Sequence, residues 1–165
     1  MEEELIHHKE YYTDGTLYKE YTIDISCTKK SEYKEWHPNG QLSKHCFFKN
    51  GKLSGRCRTY HANGVLKTLS FHKITGAGRS ICINEYKEWY ETGQLKIRYA
   101  INHGIRDGLY QEWHPNGQMK IECHYKNCFL HGNFIEWDET GTIIRQEHHD
   151  CSEGLEHAAP PVFSY

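Results

Sequence analysis

The chain has 165 residues, with 20 basic and 22 acidic side chains and a formal net charge of −2. This balance argues against a nucleic-acid partner, because Lys and Arg contacts to phosphates supply most non-specific affinity for nucleic acids. Hydrophobic residues make up 37% and aromatic residues 13% of the chain, which predicts a soluble protein with a thin, aromatic-rich core and no membrane span.

The N-terminal segment, Met1-Glu2-Glu3-Glu4, is acidic where a secretory signal peptide is basic, and no apolar segment follows it. We therefore expect the protein to be made and kept in the cytoplasm. The seven cysteines are then expected to be reduced thiols, because disulfides are rare in that compartment.

An internal repeat organises the chain. Six glycines each stand four residues after a tryptophan or tyrosine, and the two best copies are identical over the segment EWHPNGQ. Most steps between these glycines are 24 or 25 residues, but one is 29, which indicates an insertion at residues 73–84. Such a repeat predicts an array of units that bury their apolar faces against their neighbours. The six anchor glycines are Gly15, Gly40, Gly64, Gly93, Gly117 and Gly141.

Each anchor glycine is predicted to end a tight turn. In His37-Pro38-Asn39-Gly40 the proline presets φ for the second turn position, and the glycine supplies the left-handed conformation that ends the turn. A type I turn closing a β-hairpin follows. A second glycine lies 15 residues after the anchor in three units, at Gly55, Gly108 and Gly132. Two turns per unit predict two strands per unit.

The segments after the turns alternate as strands with one buried face do. Leu95, Ile97, Tyr99 and Ile101 are examples of apolar residues at even offsets from the anchor glycine, and we expect them to share a face. Before the turn the aromatic residues are three apart, as in the pair Tyr110 and Trp113. This spacing indicates either a β-bulge or a tryptophan that folds over the mouth of the turn, and the sequence leaves both open.

These residues resemble the MORN repeat, in the variant whose unit has two aromatic residues, a three-residue turn, Gly-x-Leu and then Asn-Gly-Lys-Leu-x-Gly. The match is close from Tyr33 to Gly55 and from Tyr86 to Gly132, and weaker from His8 to Tyr21. The resemblance implies an all-β fold, an elongated repeat array of antiparallel β-hairpins in a twisted single sheet, with about six units of 24 residues. We assign residues 1–157 to the array and residues 158–165 to an extended or disordered tail.

Metal and enzymatic functions find little support. Cys123, His124, Cys128 and His131 lie close together in sequence, and His148, His149 and Cys151 follow, but their spacing is poor for zinc. We expect buried thiols and hydrated imidazoles, no metal and no cofactor. A repeated glutamate lies five residues before most anchor glycines, and the repeat should give every copy the same environment. General acid–base catalysis requires two groups in different environments. We therefore expect no enzyme. The repeated glutamates are Glu10, Glu35, Glu88, Glu112 and Glu136.

The resemblance implies an interaction or scaffold module, and its relatives occur in bacteria, large DNA viruses and eukaryotes; for a viral protein the compartment would be the host cytoplasm. A protein partner and self-association through sheet edges are the expected contacts. A phospholipid adaptor at a membrane surface and an antitoxin-like binding protein remain alternatives. We expect most tryptophans to stack into a spine, with surface tyrosines and histidines left for contacts. The candidate binding residues form an aromatic stripe of Tyr33, Trp36, Tyr86, Trp89, Tyr110, Trp113 and Trp137.

Overall fold

The computed structural model describes residues 5–24 and 31–150, which form two compact units, one ending at Ile81 and the other beginning at Cys82. The predicted tail at 158–165 lies outside the described residues. The first unit holds antiparallel strands in the order β1-β2-β3-β4-β6-β7, and the short strand β5 pairs with β4. These strands are β1 (Leu5–Tyr11), β2 (Leu17–Asp24), β3 (Ser31–Trp36), β4 (Leu42–Lys49), β5 (Lys52–Leu53), β6 (Gly55–Tyr60) and β7 (Leu66–Ile74).

The second unit holds antiparallel strands in chain order, each paired with the next. They are β8 (Ser80–Trp89), β9 (Leu95–Asn102), β10 (Ile105–Trp113), β11 (Met119–Lys126), β12 (Phe129–Trp137) and β13 (Ile143–His149). The predicted all-β class, built of antiparallel hairpins, is therefore confirmed. None of the described residues forms a helix that is long and apolar enough to cross a membrane.

The anchor turns have the predicted geometry. The Gly40 N–H donates to His37 O at 2.9 Å, and the His37 N–H donates to Gln41 O at 2.8 Å. This pair of bonds defines a three-residue loop, a type I turn closed by a left-handed residue. All six anchor glycines have φ between +80° and +88°, where side chains are strained. Within the insertion, Thr75 and Gly78 make the same bonds, so this segment is another hairpin turn.

The second turn of each 24-residue repeat differs in geometry from the anchor turn. Asn50 and Gly51 have φ of +52° and +70°, and His103 and Gly104 have φ of +51° and +86°. Two consecutive left-handed residues define a type I′ turn, whose twist matches that of the adjoining strands. The third such turn uses Asn127 and Cys128, with φ of +52° and +72°, so a cysteine there occupies a position that favours glycine.

A β-bulge follows each anchor turn, in the strand after the glycine and not among the aromatic residues before it, where the spacing had suggested one. Trp89 pairs with Leu95, but its neighbour Glu88 pairs with Ile97, so Lys96 is an extra residue on β9. The bulge interrupts the alternation of side chains. Leu95 therefore shares a face with Trp89 and not with Ile97. The expectation that residues two and four positions after the glycine share a face is wrong, because the pairing skips one residue between them.

Small clusters, rather than one deep centre, form the core. In the first unit the buried Cys46, Leu53 and Cys57 pack against Tyr33 and Phe48. In the second unit the buried residues Cys82, Tyr99 and Ile101 pack against partly buried neighbours, which are Tyr86, Ile97 and Tyr110. Both clusters are rich in tyrosine and cysteine, as a thin aromatic core requires.

Candidate functional site

Four tyrosines from neighbouring strands form a row of contacting rings in the second unit, hereafter the tyrosine row. The ring centroids of Tyr86 and Tyr99 are 4.9 Å apart, and those of Tyr99 and Tyr110 are 6.1 Å apart, both pairs stacked. Tyr125 meets Tyr110 edge to face at 5.9 Å. Two of the predicted stripe residues, Tyr86 and Tyr110, therefore belong to the stacked spine. That role had been expected for the tryptophans.

The Arg106 guanidinium lies against three rings of the tyrosine row. Its guanidinium carbon lies 4.5 Å from the ring centroid of Tyr99, 5.7 Å from that of Tyr110 and 6.0 Å from that of Tyr125. Cation–π attraction is strongest where the cation is shielded from water, and Arg106 Nε is buried without a hydrogen-bond partner in the described part of the chain. Aromatic faces thus provide much of the environment of this guanidinium.

Two of the repeated glutamates accept hydrogen bonds from tyrosines of the tyrosine row and from lysines. Glu112 accepts hydrogen bonds from the Tyr110 hydroxyl at 3.1 Å and from Lys120 Nζ at 2.7 Å. Glu88 accepts from Tyr86 and Lys96 at 3.4 and 2.8 Å. Burial, followed by the Glu112 carboxylate, raises the pKa of Tyr110. Two members of the predicted ladder thus make the same pair of contacts.

The tryptophans project from the opposite face. Lys96 Nζ contacts Glu88 and lies 5.7 Å from the Tyr90 ring centroid, so Glu88 and Tyr90 project from one side of the strand. Trp89 stands between them and projects from the other side, because successive side chains alternate. Trp36, Trp113 and Trp137 hold the equivalent repeat position. All four are partly exposed. The predicted aromatic stripe is therefore divided, with tyrosines on one face and tryptophans on the other.

Side chains of the anchor turns bind the next repeat, a function that sequence reasoning missed. His37 Nε2 lies 2.9 Å from Tyr60 O, and His114 Nε2 lies 2.9 Å from Trp137 O. The Tyr90 hydroxyl donates to Trp113 O at 2.9 Å from the same turn position. The sequence contains a signal for these contacts, because the residue three positions before the anchor glycine is a histidine or a tyrosine in these three turns. These contacts connect adjacent hairpins within each unit.

The aromatic residues of the first unit form a second group with the same arrangement. Tyr21 and Tyr33 are stacked, with ring centroids 6.0 Å apart, and Phe48 meets Tyr33 edge to face at 5.6 Å. A cavity of about 400 Å³ opens beside these three rings. Burial, followed by a hydrogen bond to Glu35, raises the pKa of Tyr33. Tyr33, the third tyrosine of the predicted stripe, therefore lines a cavity.

The cysteines near these clusters are mostly buried thiols. Cys46 and Cys57 have sulfurs 3.1 Å apart, and the hydrogen bond with Cys57, together with burial, raises the pKa of Cys46. Burial raises the pKa of Cys123 to about 12, whereas His124 beside it is exposed. Cys151 lies outside the described residues. Within residues 5–24 and 31–150, no three His, Cys, Asp or Glu side chains are placed to hold a metal ion.

Comparison with family models finds the MORN repeat variant at residues 31–50, 53–73, 84–99, 106–127 and 130–150. Each of the five matched segments contains one anchor glycine. The hairpin at Gly15 lies outside the matched segments, although its turn makes the same backbone bonds. The interval between residues 73 and 84 coincides with the insertion. A search of curated proteins finds no match.

Proposed function

We propose, from the premise that this chain belongs to the MORN repeat variant family, that it is a non-enzymatic protein-binding module. Repeats of this family generally serve binding and scaffolding. The proposed contact surface is the tryptophan face, defined by the side chains on the side opposite the tyrosine row. In the second unit this face carries Trp89, Leu95, Trp113, Met119, Trp137 and Ile143.

The observation that carries this proposal is the partial exposure of every tryptophan. The tyrosines of the opposite face already stack on one another and on Arg106. Tryptophan is among the residues that contribute most to protein–protein affinity, because one side chain buries a large rigid area. Ile143, paired with Trp137, is 51% exposed. A partner that covers this row would remove apolar surface from water without disturbing the spine.

Charge distribution favours a protein over an anionic membrane. Anionic lipid surfaces attract clusters of unpaired Lys and Arg, at about 1 kcal/mol for each residue. Here basic side chains stand beside carboxylates: Lys34 lies 2.9 Å from Glu32, and Lys87 lies 2.7 Å from Glu85. Such pairs offer little net positive potential. A phospholipid adaptor and an antitoxin-like binding protein are therefore the second and third candidates.

We propose that the protein is not an enzyme because its repeated carboxylates have the same hydrogen-bond partners. Glu88 and Glu112 each bind one tyrosine hydroxyl and one lysine. General acid–base catalysis requires groups whose environments separate their pKa values. Two carboxylates with equal partners do not satisfy that requirement. We further propose that the protein acts in the cytoplasm, consistent with its several buried thiols.

The test is capture of a partner by the intact protein, compared with a variant altered on the tryptophan face. Trp113→Lys places a charge in the middle of the row, and Lys126→Ala changes an exposed residue as the matched control. We expect a stoichiometric partner to be retained by the wild type and by Lys126→Ala, and lost with Trp113→Lys. Circular dichroism establishes that each variant is folded.

Two other outcomes would contradict the proposal. Sedimentation with vesicles of anionic phospholipid, unaffected by Trp113→Lys, would favour the lipid adaptor. Capture of the same partner by wild type and Trp113→Lys alike would move the contact surface off the tryptophan face.

Self-association through β13 is a further candidate. Ile143 and Ile144 on this strand are 51% and 60% exposed, and exposed strands with apolar side chains favour edge pairing. Light scattering would detect a dimer of the wild type that Ile144→Lys disrupts. A monomer at all concentrations would exclude this contact.

A further inference from the structure

Cys46 and Cys57 face each other across two neighbouring strands of the first unit. β4 and β6 pair at His45 with Arg58, and the two cysteines are the next residues in the same register. Facing residues of an antiparallel pair project from the same side of the sheet. The two sulfurs are 3.1 Å apart, so the strands bring two thiols into direct contact.

The second unit has one thiol, rather than two, at the equivalent positions. Cys46 is six residues after its anchor glycine, and Cys57 is seven residues before the next one. Cys123 and Phe134 hold the same positions in the second unit and pair across β11 and β12. The repeat therefore accommodates a bulky ring where Cys57 stands, and packing in the sheet does not itself require a second thiol. The other aromatic residues at the Cys57 position are Tyr33, Tyr86 and Tyr110.

The surroundings of the pair make Cys57 the more reactive sulfur. Cys46 is fully buried, whereas Cys57 is 8% exposed. The hydrogen bond with Cys46 lowers the pKa of Cys57, and nearby Lys44 also lowers it, whereas burial acts in the opposite direction. Nucleophilic cysteines react as thiolates. Cys57 is therefore the sulfur that a small oxidant reaches first and meets in its reactive form.

Ser70 supports the same ionised form of Cys57 from the other side. It pairs with Cys57 across β6 and β7, and a hydrogen bond with Ser70 also lowers the pKa of Cys57. The Ser70 hydroxyl is positioned in turn by His72, whose Nε2 lies 3.0 Å from Ser70 Oγ. Hydrogen-bonding groups thus stand on both sides of the Cys57 sulfur.

We propose that Cys46 and Cys57 form a redox-active pair, which hydrogen peroxide oxidises to an intramolecular disulfide. The Cys57 thiolate attacks one peroxide oxygen and the O–O bond breaks, which gives a sulfenic acid and a hydroxide that takes up a proton to form water. The Cys46 sulfur then attacks the Cys57 sulfur, and the sulfenic hydroxyl leaves as water with the Cys46 proton. Two thiols and one peroxide give one disulfide and two waters. A dithiol reductant restores both thiols and is itself oxidised to a disulfide.

Formation of this bond requires little movement. The sulfurs start 3.1 Å apart and must approach by about 1 Å to reach bonding distance. Beyond the cysteines, β4 leaves β6 and pairs with β5, where Phe48 is opposite Leu53. The cysteines therefore lie at the end of the pairing between β4 and β6, where the ladder restrains the two strands on one side only.

The disulfide would close the loop of residues 46–57, which contains the type I′ turn at Asn50 and Gly51. A cross-link of this kind stabilises a protein mainly by constraining its unfolded chain. The oxidised protein should therefore melt about 5 °C or more above the reduced protein. Disulfides in a reducing compartment are usually transient and redox-sensing, as a reversible pair would be.

The test starts from the fully reduced chain, which is treated with hydrogen peroxide, alkylated at its remaining thiols and digested with trypsin without reduction. Cleavage after lysine and arginine separates the two cysteines, so their disulfide joins the peptides 45–49 and 57–58. We expect this linked peptide in the wild type and its loss after dithiothreitol. It should form at least about tenfold faster than Cys123 is oxidised, because Cys123 is a buried thiol with a raised pKa.

Two variants separate the pair from the other thiols. Cys57→Ala should abolish both the linked peptide and the rise in melting temperature on oxidation. Cys123→Ala is the matched control, since it removes the buried thiol at the position equivalent to Cys46, and it should leave the linked peptide and the rise unchanged. Circular dichroism establishes that each variant is folded, and the comparison with Cys123 in the wild type requires no variant.

Three results would overturn the proposal. Cys46 and Cys57 could remain thiols while Cys123 is oxidised. A disulfide from either residue to Cys27 or Cys151, which lie outside the described residues, would assign the oxidation to another pair. Formation of the linked peptide at an equal rate in urea would mean that the folded geometry does not promote it. None of these results depends on partner capture by the tryptophan face, which Trp113→Lys tests separately.

Discussion

Each anchor turn contains a single glycine with a left-handed backbone conformation. Gly117 has φ of +87°, and a Cβ added there would meet Gln94 Oε1 at 3.3 Å. A β-branched residue therefore suffers both backbone strain and crowding. Pro115, in the same turn, is exposed and contributes only a preset φ.

We expect Gly117→Val to lower the free energy of unfolding by about 2 kcal/mol or more, and Pro115→Ala by less than about 1 kcal/mol. Urea denaturation of both variants measures the difference. Equal losses would contradict the assignment of this turn.

Cys128 has a left-handed backbone conformation, which residues other than glycine, asparagine and aspartate rarely adopt. It holds φ of +72°, at the position that Gly51 and Gly104 occupy in the other type I′ turns. A left-handed non-glycine residue costs roughly 1–2 kcal/mol, part of which is offset when glycine raises the entropy of the unfolded chain.

We expect Cys128→Gly to stabilise the protein by about 1 kcal/mol, seen as a rise of ~2–4 °C in melting temperature. The reverse change, Gly104→Cys, serves as the control and should destabilise it by a similar amount. A loss of stability in Cys128→Gly would show that the thiol makes contacts that outweigh the strain.

At the scale of elements, hairpins are joined by their turns as well as by strand pairing. The Tyr90 hydroxyl reaches Trp113 O at 2.9 Å, and the equivalent Tyr12 hydroxyl reaches Trp36 O at 2.8 Å. Each is one neutral hydrogen bond, and such a bond contributes about 1 kcal/mol net.

Tyr90→Phe removes only the hydroxyl and should cost about 1 kcal/mol of unfolding free energy. Tyr11→Phe, at a residue that is 60% exposed, is the control and should change stability by less than about 0.5 kcal/mol. Thermal denaturation compares the two. No difference between them would mean that water replaces the Tyr90 bond without cost.

At the scale of the whole molecule, several thiols and phenols with raised pKa values should make stability fall at alkaline pH. Burial raises the pKa of Cys123 to about 12, from an ordinary value of 9.0, and burial likewise raises the pKa values of Tyr99, Tyr110 and Tyr125. The folded state holds these protons more tightly than the unfolded state. Their stabilising contribution is complete below the ordinary pKa and is lost as pH rises through the raised values.

We expect the free energy of unfolding to fall between about pH 9 and pH 12, by about 1.4 kcal/mol per pH unit for Cys123 alone. Cys123→Ala should reduce the slope in that interval while leaving the slope at neutral pH unchanged. Urea titrations across this range provide the measurement. An identical slope in the variant would exclude Cys123 as a contributor.

The hairpins are local features of the sequence, whereas the bulge is not. Glycine spacing identified the hairpins, because only glycine adopts the left-handed turn position without strain, and that requirement is local. The aromatic spacing suggested a bulge before the turn, but the bulge lies after it, at Lys96, because its position depends on pairing between strands. One extra residue there placed Leu95 on the face of Trp89 and away from Ile97. The predicted stripe is divided for a different reason, because its tyrosines and tryptophans are three residues apart on strands that alternate without interruption.

The sequence by itself determined the repeat, the type of the anchor turns, the all-β class and the family, since each follows from residues whose conformational preferences are local or recur at a fixed period. Only the tertiary structure decided which side chains meet. The contact of Arg106 with the tyrosine row, the stacking of Tyr21 on Tyr33, and the burial of Cys46 against Cys57 all join residues of different strands. Contacts between strands depend on register, and register is set by pairing across the sheet rather than by neighbours along the chain.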